Sequence, residues 1–479
     1  MVILSPRNAS AAWWSAFEVA VRYGAQFVVT VVLARLLAPE VFGMVSMLLV
    51  FTSLAAVLID AGFGAALIQC QRPTADDETT VFAFGVAMSL LLALLLAAAA
   101  PMIGGFYRQP ALVDLARVTA LALPLSALGA VPDAVLTLRL DFRKRSLVEI
   151  NASLISGVVA IVLALLGAGV WSLAGQAIVA AGLRSLFLWV KSGWRPSGVV
   201  NRRSFNSLSS FGGYMLLSAL MDTVATRLQS LLIGRMFSSA ELGLFSVAQN
   251  TQQAPASFIG AVLNRVGFPV FAAASRDPVR LLSGLKAALN LSMFVFFPCM
   301  VGISLTAKPL VLLLYGNKWS AAAPMLSILA LAASVWPMHV LNLAAISAQG
   351  HSNLFFRLEL IKKLATIALV VACSTGGTMA MVWASLVSSA LSLVINAWYS
   401  GVLLDYGIAR QLRDQAFTAA LTAVAAVPCW MVLHVFGDGA AILFVALVLS
   451  AVIYIVLALT LRHSAILDYL SLLNRYRNS

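Results

Sequence analysis

The chain has 479 residues, of which 61% are apolar and 10% charged, with a mean hydropathy of +0.96. A soluble domain carries about 25% charged residues, so this composition excludes a water-facing globule and requires lipid as the solvent. The net charge of +13 does not point to nucleic acid, because the basic residues fall mainly in loops between apolar runs.

A spanning helix needs about 20 mostly apolar residues. In chain order, fourteen stretches meet that need: 12–34, 41–66, 80–103, 114–136, 147–167, 170–190, 209–234, 241–266, 285–306, 323–347, 358–375, 378–402, 415–436 and 440–461. They predict an all-α integral membrane protein of about fourteen transmembrane helices. The opening MVILSPRN has one charge and no small-residue cleavage pattern, so no removable signal peptide is expected. Most of the 31 Lys and Arg lie on one set of alternate loops, among them Arg139, Arg143, Lys144, Arg145, Arg202, Arg203, Lys362 and Arg410. The positive-inside rule then puts both termini in the cytoplasm. Pro124, Pro132, Pro255, Pro298, Pro337 and Pro428 mark expected kinks within spans.

The turn ARLLAPEVFG at 34–43 returns as GRMFSSAELG at 234–243. Arg35 is matched by Arg235, Gly43 by Gly243 and Ser46 by Ser246. Later echoes pair Tyr107 with Tyr315 and Gly169 with Gly377. The interval encloses six spans, so both turns are expected at the same, outer face. A duplication is therefore expected, with a six-helix lobe at 1–200, a second at 201–405, and two further spans with a cytoplasmic tail at 406–479. Transport sites lie between repeats of this kind.

Cys70, Cys299, Cys373 and Cys429 are scattered and include no CxxC pair, and the four histidines form no HExxH-type cluster. No catalytic residues, cofactor or metal are expected. Charges at membrane depth cost about 2.5–3.5 kcal/mol on insertion scales, so each needs a reason. Glu18 and Arg22, at i and i+4, share one helix face. They are either a neutral pair joining helices or a cavity cation with its orienting acid. Asp222 stands at the repeat position of Arg22, and Arg227 lies five residues on, about 140° around the helix. Arg227 thus needs an anion from elsewhere, unless it snorkels. Arg184, close before Lys191, reads as a snorkelling or entrance-steering cation, and Asp60 as a helix-end group or a coupling acid. Gln249, Asn250, Gln252 and Gln253 form an amide run in the eighth span. Such amides suit either sugar hydroxyls or neighbouring helices.

Several stretches carry a resemblance: LARLLAPEVFG, DAGFGAALIQ (60–69), LGAGVWSLAGQ (166–176), NRVGFPVFAAASRDPVRL (264–281), LLYGNKWSAAAPMLSILAL (313–331) and AQGHSNLFFRLELIKK (348–363). Together they resemble polysaccharide transporters of the MOP (multidrug/oligosaccharidyl-lipid/polysaccharide) superfamily. These are the Wzx-type flippases of bacterial inner membranes, and the colanic acid and xanthan-like branch is the most similar. The resemblance runs from about residue 10 to 405. It implies two helical lobes around a cavity and a non-enzymatic flippase. The implied partner is an oligosaccharide linked to undecaprenyl pyrophosphate, moved to the periplasmic leaflet by alternating access among membrane lipids. Polymerase and chain-length proteins are further expected partners. It also implies a cationic cavity in which Arg22 and Arg227 bind pyrophosphate, with Glu18 orienting Arg22. The competing readings are a drug/cation antiporter of the same superfamily, which requires an acidic cavity, and a membrane polymerase or ligase, which requires a long reactive periplasmic loop.

Overall fold

A computed structural model describes residues 24–60, 63–70, 73–274, 277–350 and 352–463. Among the described residues the regular structure is entirely helical. Eleven helices are long and apolar enough to cross a membrane, as expected of a chain that must satisfy its backbone internally in lipid.

Every expected span from 41–66 onward falls on a helix or a broken helix. Three of the fourteen expected stretches are not among these eleven. The first is described only over Gly24–Leu36. Ser239–Ala274 is 36 residues long and carries the amide run in its first half. Ser352–Cys373 carries Arg357, Glu359, Lys362 and Lys363. The fourth span breaks into Ala111–Ala120, Ala122–Ala127 and Ala130–Leu138, and the tenth into Ala322–Ala333 and Trp336–Ala348. These breaks lie beside Pro124, Pro132 and Pro337, whereas helices continue through Pro255, Pro298 and Pro428. Where the helix persists, the missing donor of proline is tolerated within the bundle.

The chain forms two compact units, Met1–Ser246 and Val247–Ser479. In unit 1, Phe63, Leu67, Val81, Val131, Val135 and Trp194 make a buried cluster, with Phe82, Phe84, Trp189 and Phe205 packed on it. The connector after Val170–Ser192 is docked on the first turns of Ala75–Tyr107. Gly198 N–H donates to Thr79 Oγ1 (3.0 Å), Val199 N–H to Asp76 Oδ1 (2.8 Å), and Asn201 N–H to Thr80 Oγ1 (3.0 Å). Trp194 Nε1 donates to Glu78 Oε2 at 2.6 Å. The side chains of the helix start thus satisfy the backbone of the connector.

In unit 2, the two C-terminal helices Ile408–Phe436 and Ala440–Thr460 are held by polar and aromatic contacts. Asn342 and Gln411, both fully buried, exchange two amide hydrogen bonds of 2.9 Å. Ser400 Oγ donates to Asn342 Oδ1 at 2.7 Å, and Gln415 Nε2 to Asn290 Oδ1 at 2.8 Å. Tyr454 donates to the Phe294 carbonyl at 2.8 Å. Between helices, Tyr406 donates to Asp414 at 2.8 Å, and Lys286 sits 4.9 Å from its ring centroid. Burial, and then the bond to Asp414, push that phenol above its usual pKa range.

The duplicated turn has a structural counterpart within unit 1. A Cβ built on Gly43 would fall 1.7 Å from the Ser239 carbonyl oxygen, and one on Gly243 would fall 1.9 Å from the Pro39 carbonyl oxygen. Ser46 and Ser246 meet Oγ to Oγ at 2.6 Å. Position 43 touches 239 while 243 touches 39, the reciprocal pattern of a two-fold contact. Without side chains at the crossing, two helix starts touch backbone to backbone, which is how small residues join helices in lipid.

Gly43→Ala and Gly243→Ala are each expected to destabilise the protein by about 1–3 kcal/mol or more, the scale of overpacking. Gly85→Ala, with nothing within 4 Å of its Cβ, should leave stability unchanged or raised. Thermal unfolding in detergent measures all three.

Candidate functional site

Two adjoining cavities lie among the described residues of unit 1, of about 660 Å³ and about 450 Å³. The larger is lined in part by Gln26, Thr52, Ser153, Gln176, Glu149 and Arg184. The smaller is lined in part by Asp60, Asp133, Thr137, Arg145 and Arg184. Arg184 belongs to both, as do Leu123 and Ser126.

Four charged side chains converge where the cavities meet. Arg184 Nε donates to Glu149 Oε1 at 2.6 Å, and its Nη2 to Asp133 Oδ2 at 3.1 Å. Arg145 Nε donates to Asp133 Oδ1 at 2.7 Å, and its Nη2 to Asp133 Oδ2 at 3.3 Å. Two acids and two guanidiniums give no formal charge. The side chains are 13% (Glu149), 18% (Asp133), 29% (Arg184) and 34% (Arg145) exposed. Pairing offsets the desolvation each would suffer alone.

Local sequence explains the convergence. Arg145 and Glu149 are four apart on Phe142–Leu165 and so share a face. Asp133 lies on Ala130–Leu138, just past the break at Gly129. A Cβ on Gly129 would fall 2.7 Å from Ser185 Oγ, so glycine lets the broken span approach Val170–Ser192. Carbonyls freed by the break are also satisfied from that helix: Ser185 donates to Leu125 O, and Trp189 Nε1 to Leu128 O at 2.7 Å. The approach that accommodates the break also carries Asp133 to Arg184.

Of the residues singled out in the sequence, Glu18 and Arg22 lie outside the described residues. Arg184 is ion-paired to Asp133 and Glu149. Asp60 is exposed at the end of Pro39–Asp60, and its Oδ1 accepts from Gly64 N–H at 3.3 Å. Asp222 is exposed and Arg227 half-buried on Arg202–Met236. Among the described residues Arg227 has no ion-pair partner. In unit 2, Gln252 is buried, Gln249 half-buried, and Asn250 and Gln253 exposed, with the neighbouring Thr251 bonded to Tyr315 Oη at 2.7 Å. Sequence reasoning missed Asp133 and Glu149 as partners of Arg184. The available signal was an acid behind a proline in an apolar span, and the Arg145–Glu149 spacing.

Asp133→Asn weakens the acceptor shared by both arginines. The expected loss lies below the about 3–5 kcal/mol of a fully buried pair, because these groups are partly exposed. Unfolding of Asp133→Asn, Arg145→Gln and the double variant should show coupling, the double variant losing less than the sum of the singles.

The polysaccharide biosynthesis protein family model matches residues 32–324. The succinoglycan biosynthesis transport protein ExoT of Rhizobium meliloti is 28% identical over 80% of this chain and 78% of its own length. The teichuronic acid biosynthesis protein TuaB of Bacillus subtilis is 26% identical over 76% of each chain. The lipopolysaccharide biosynthesis protein WzxC of Escherichia coli is 24% identical over 79% and 76%. Among solved structures, the lipid II flippase MurJ in an inward closed conformation superposes with a TM-score of 0.75 at 15% identity, covering 95% of this chain and 98% of MurJ. An inward-facing MATE family transporter of the MOP superfamily gives a TM-score of 0.60 at 17% identity, covering 81% and 96%. With a family model matching more than half its length, this chain belongs to the polysaccharide biosynthesis protein family.

Proposed function

We propose that this protein flips an oligosaccharide linked to undecaprenyl pyrophosphate from the cytoplasmic to the periplasmic leaflet of a bacterial inner membrane, by alternating access. The observation that carries the reading is a combination. Relatives named for polysaccharide transport and biosynthesis align over three quarters of the chain, and the fold is that of a lipid II flippase. Both termini are cytoplasmic in this reading, because of the basic inner loops.

Arg22 and Arg227 are the pyrophosphate ligands of the proposal, since guanidinium–phosphate bonds are charge-assisted and bidentate. Glu18 orients Arg22, and Asp222 stands at the equivalent place in the second repeat. The amides at 249, 250, 252 and 253 offer donors and acceptors to sugar hydroxyls. The half-burial of Arg227, with no ion pair among the described residues, supports its role. The Gly43–Gly243 crossing lies at the outer face in this topology. It must separate, with its Ser46–Ser246 bond, when that face opens.

Arg22→Ala and Arg227→Ala should each sharply reduce polysaccharide export in a deletion strain at near-normal protein level, and Arg22→Lys should retain part of it, keeping charge without the planar fork. Full export by the double alanine variant would reject the assignment. A Ser46→Cys/Ser246→Cys pair should cross-link under oxidation and halt export until reductant is added. Export that continues while the cross-link is complete would exclude opening at this point.

A further inference from the structure

We infer that the larger cavity of unit 1 is an anion-binding chamber in which an acidic group of the transported glycolipid, a phosphate or a sugar carboxylate, takes Arg184 in exchange for Glu149. This rests on the flippase reading. Arg184 lines both cavities, so an anion in either space can meet its guanidinium. Glu149 is the exchangeable partner because it lines the larger cavity and meets Arg184 through one contact. Asp133 is fixed by Arg145 on both carboxylate oxygens and keeps Arg184 in place when Glu149 leaves. Gln26, Thr52, Ser153 and Gln176 furnish the same wall with amides and hydroxyls, groups that both donate to and accept from sugar hydroxyls.

Charge sets the condition for exchange. Among the described residues, the charged groups facing Glu149 are Arg145 on its own helix, Arg184 from Val170–Ser192 and Asp133 from Ala130–Leu138. An anion that takes Arg184 displaces the Glu149 carboxylate and meets its negative charge, so removing that charge favours the anion. No covalent bond forms or breaks; one hydrogen-bonded ion pair replaces another.

The test is calorimetric binding to the full-length protein in nanodiscs at neutral pH, with three probes: farnesyl pyrophosphate, a glucuronate-bearing disaccharide and neutral cellobiose. Wild type should bind one of the anionic probes, and which one identifies the source of the acid. Glu149→Gln should bind it about tenfold tighter. Arg184→Gln should lose at least about tenfold, with part restored by Arg184→Lys. Glu149 as a purely structural group would give weaker or unchanged binding in Glu149→Gln, and that result overturns the inference even if Arg184→Gln fails to fold. Wild type that binds neither anionic probe overturns it too. Flipping of lipid-linked oligosaccharide by wild type in vesicles is scored separately. Movement there without the Glu149→Gln gain removes the chamber and leaves the flippase reading standing.

Discussion

The contact on which unit 1 depends is the backbone crossing at Gly43 and Gly243. Lipid does not drive apolar helices together, because the solvent is as apolar as they are; close packing does. Here the packing leaves no room for a Cβ on either partner. The contact is reciprocal, so one short sequence, present twice, builds both halves of it. That answers why the chain writes the turn at 34–43 again at 234–243: each copy is the surface against which the other packs. The serine pair one turn further along each helix adds a single hydrogen bond to the same axis.

Polar chemistry in the two units follows different rules. Unit 2 seals amides and hydroxyls in a neutral network that ties Ile408–Phe436 to the preceding helices. Asn342 and Gln411 are fully paired in it and the network adds no charge, while the neighbouring Gln415 keeps one buried oxygen without a partner among the described residues. Unit 1 instead gathers four ionised side chains at the junction of two cavities. Charges beside open space can change partners, whereas amides locked between helices cannot do so without unpacking.

Much of the fold was legible because the apolar runs are long and the chain has only helices available in lipid. Helix number and most boundaries followed from length alone. The breaks at Gly129 and before Pro337 were marked by their residues, but Pro298 and Pro428 carry the same mark inside continuous helices. A proline shows where a donor is missing; neighbouring helices decide whether the chain bends. The site was less legible. Arg184 stood out as a charge in a span, yet its position near a helix end suggested the membrane surface. Its partners lie 35 and 51 residues away in sequence, and only the Gly129 approach brings Asp133 within reach. Pairing of that kind is a tertiary fact with no local signature. Spacing also separated Asp222 from Arg227 on the helix, since five residues leave them on different faces.

The central claim is transbilayer movement of an anionic glycolipid, and reconstitution tests it most directly. Purified protein in vesicles would be given an undecaprenyl-pyrophosphate oligosaccharide and a potassium–valinomycin potential, with no pH or sodium gradient. Each charge moved gains about 2.3 kcal/mol per 100 mV, so a diester leaving the negative side should move faster than under the reversed potential, and only in vesicles that hold the protein. Movement that is absent, or indifferent to the sign of the potential, would contradict the account.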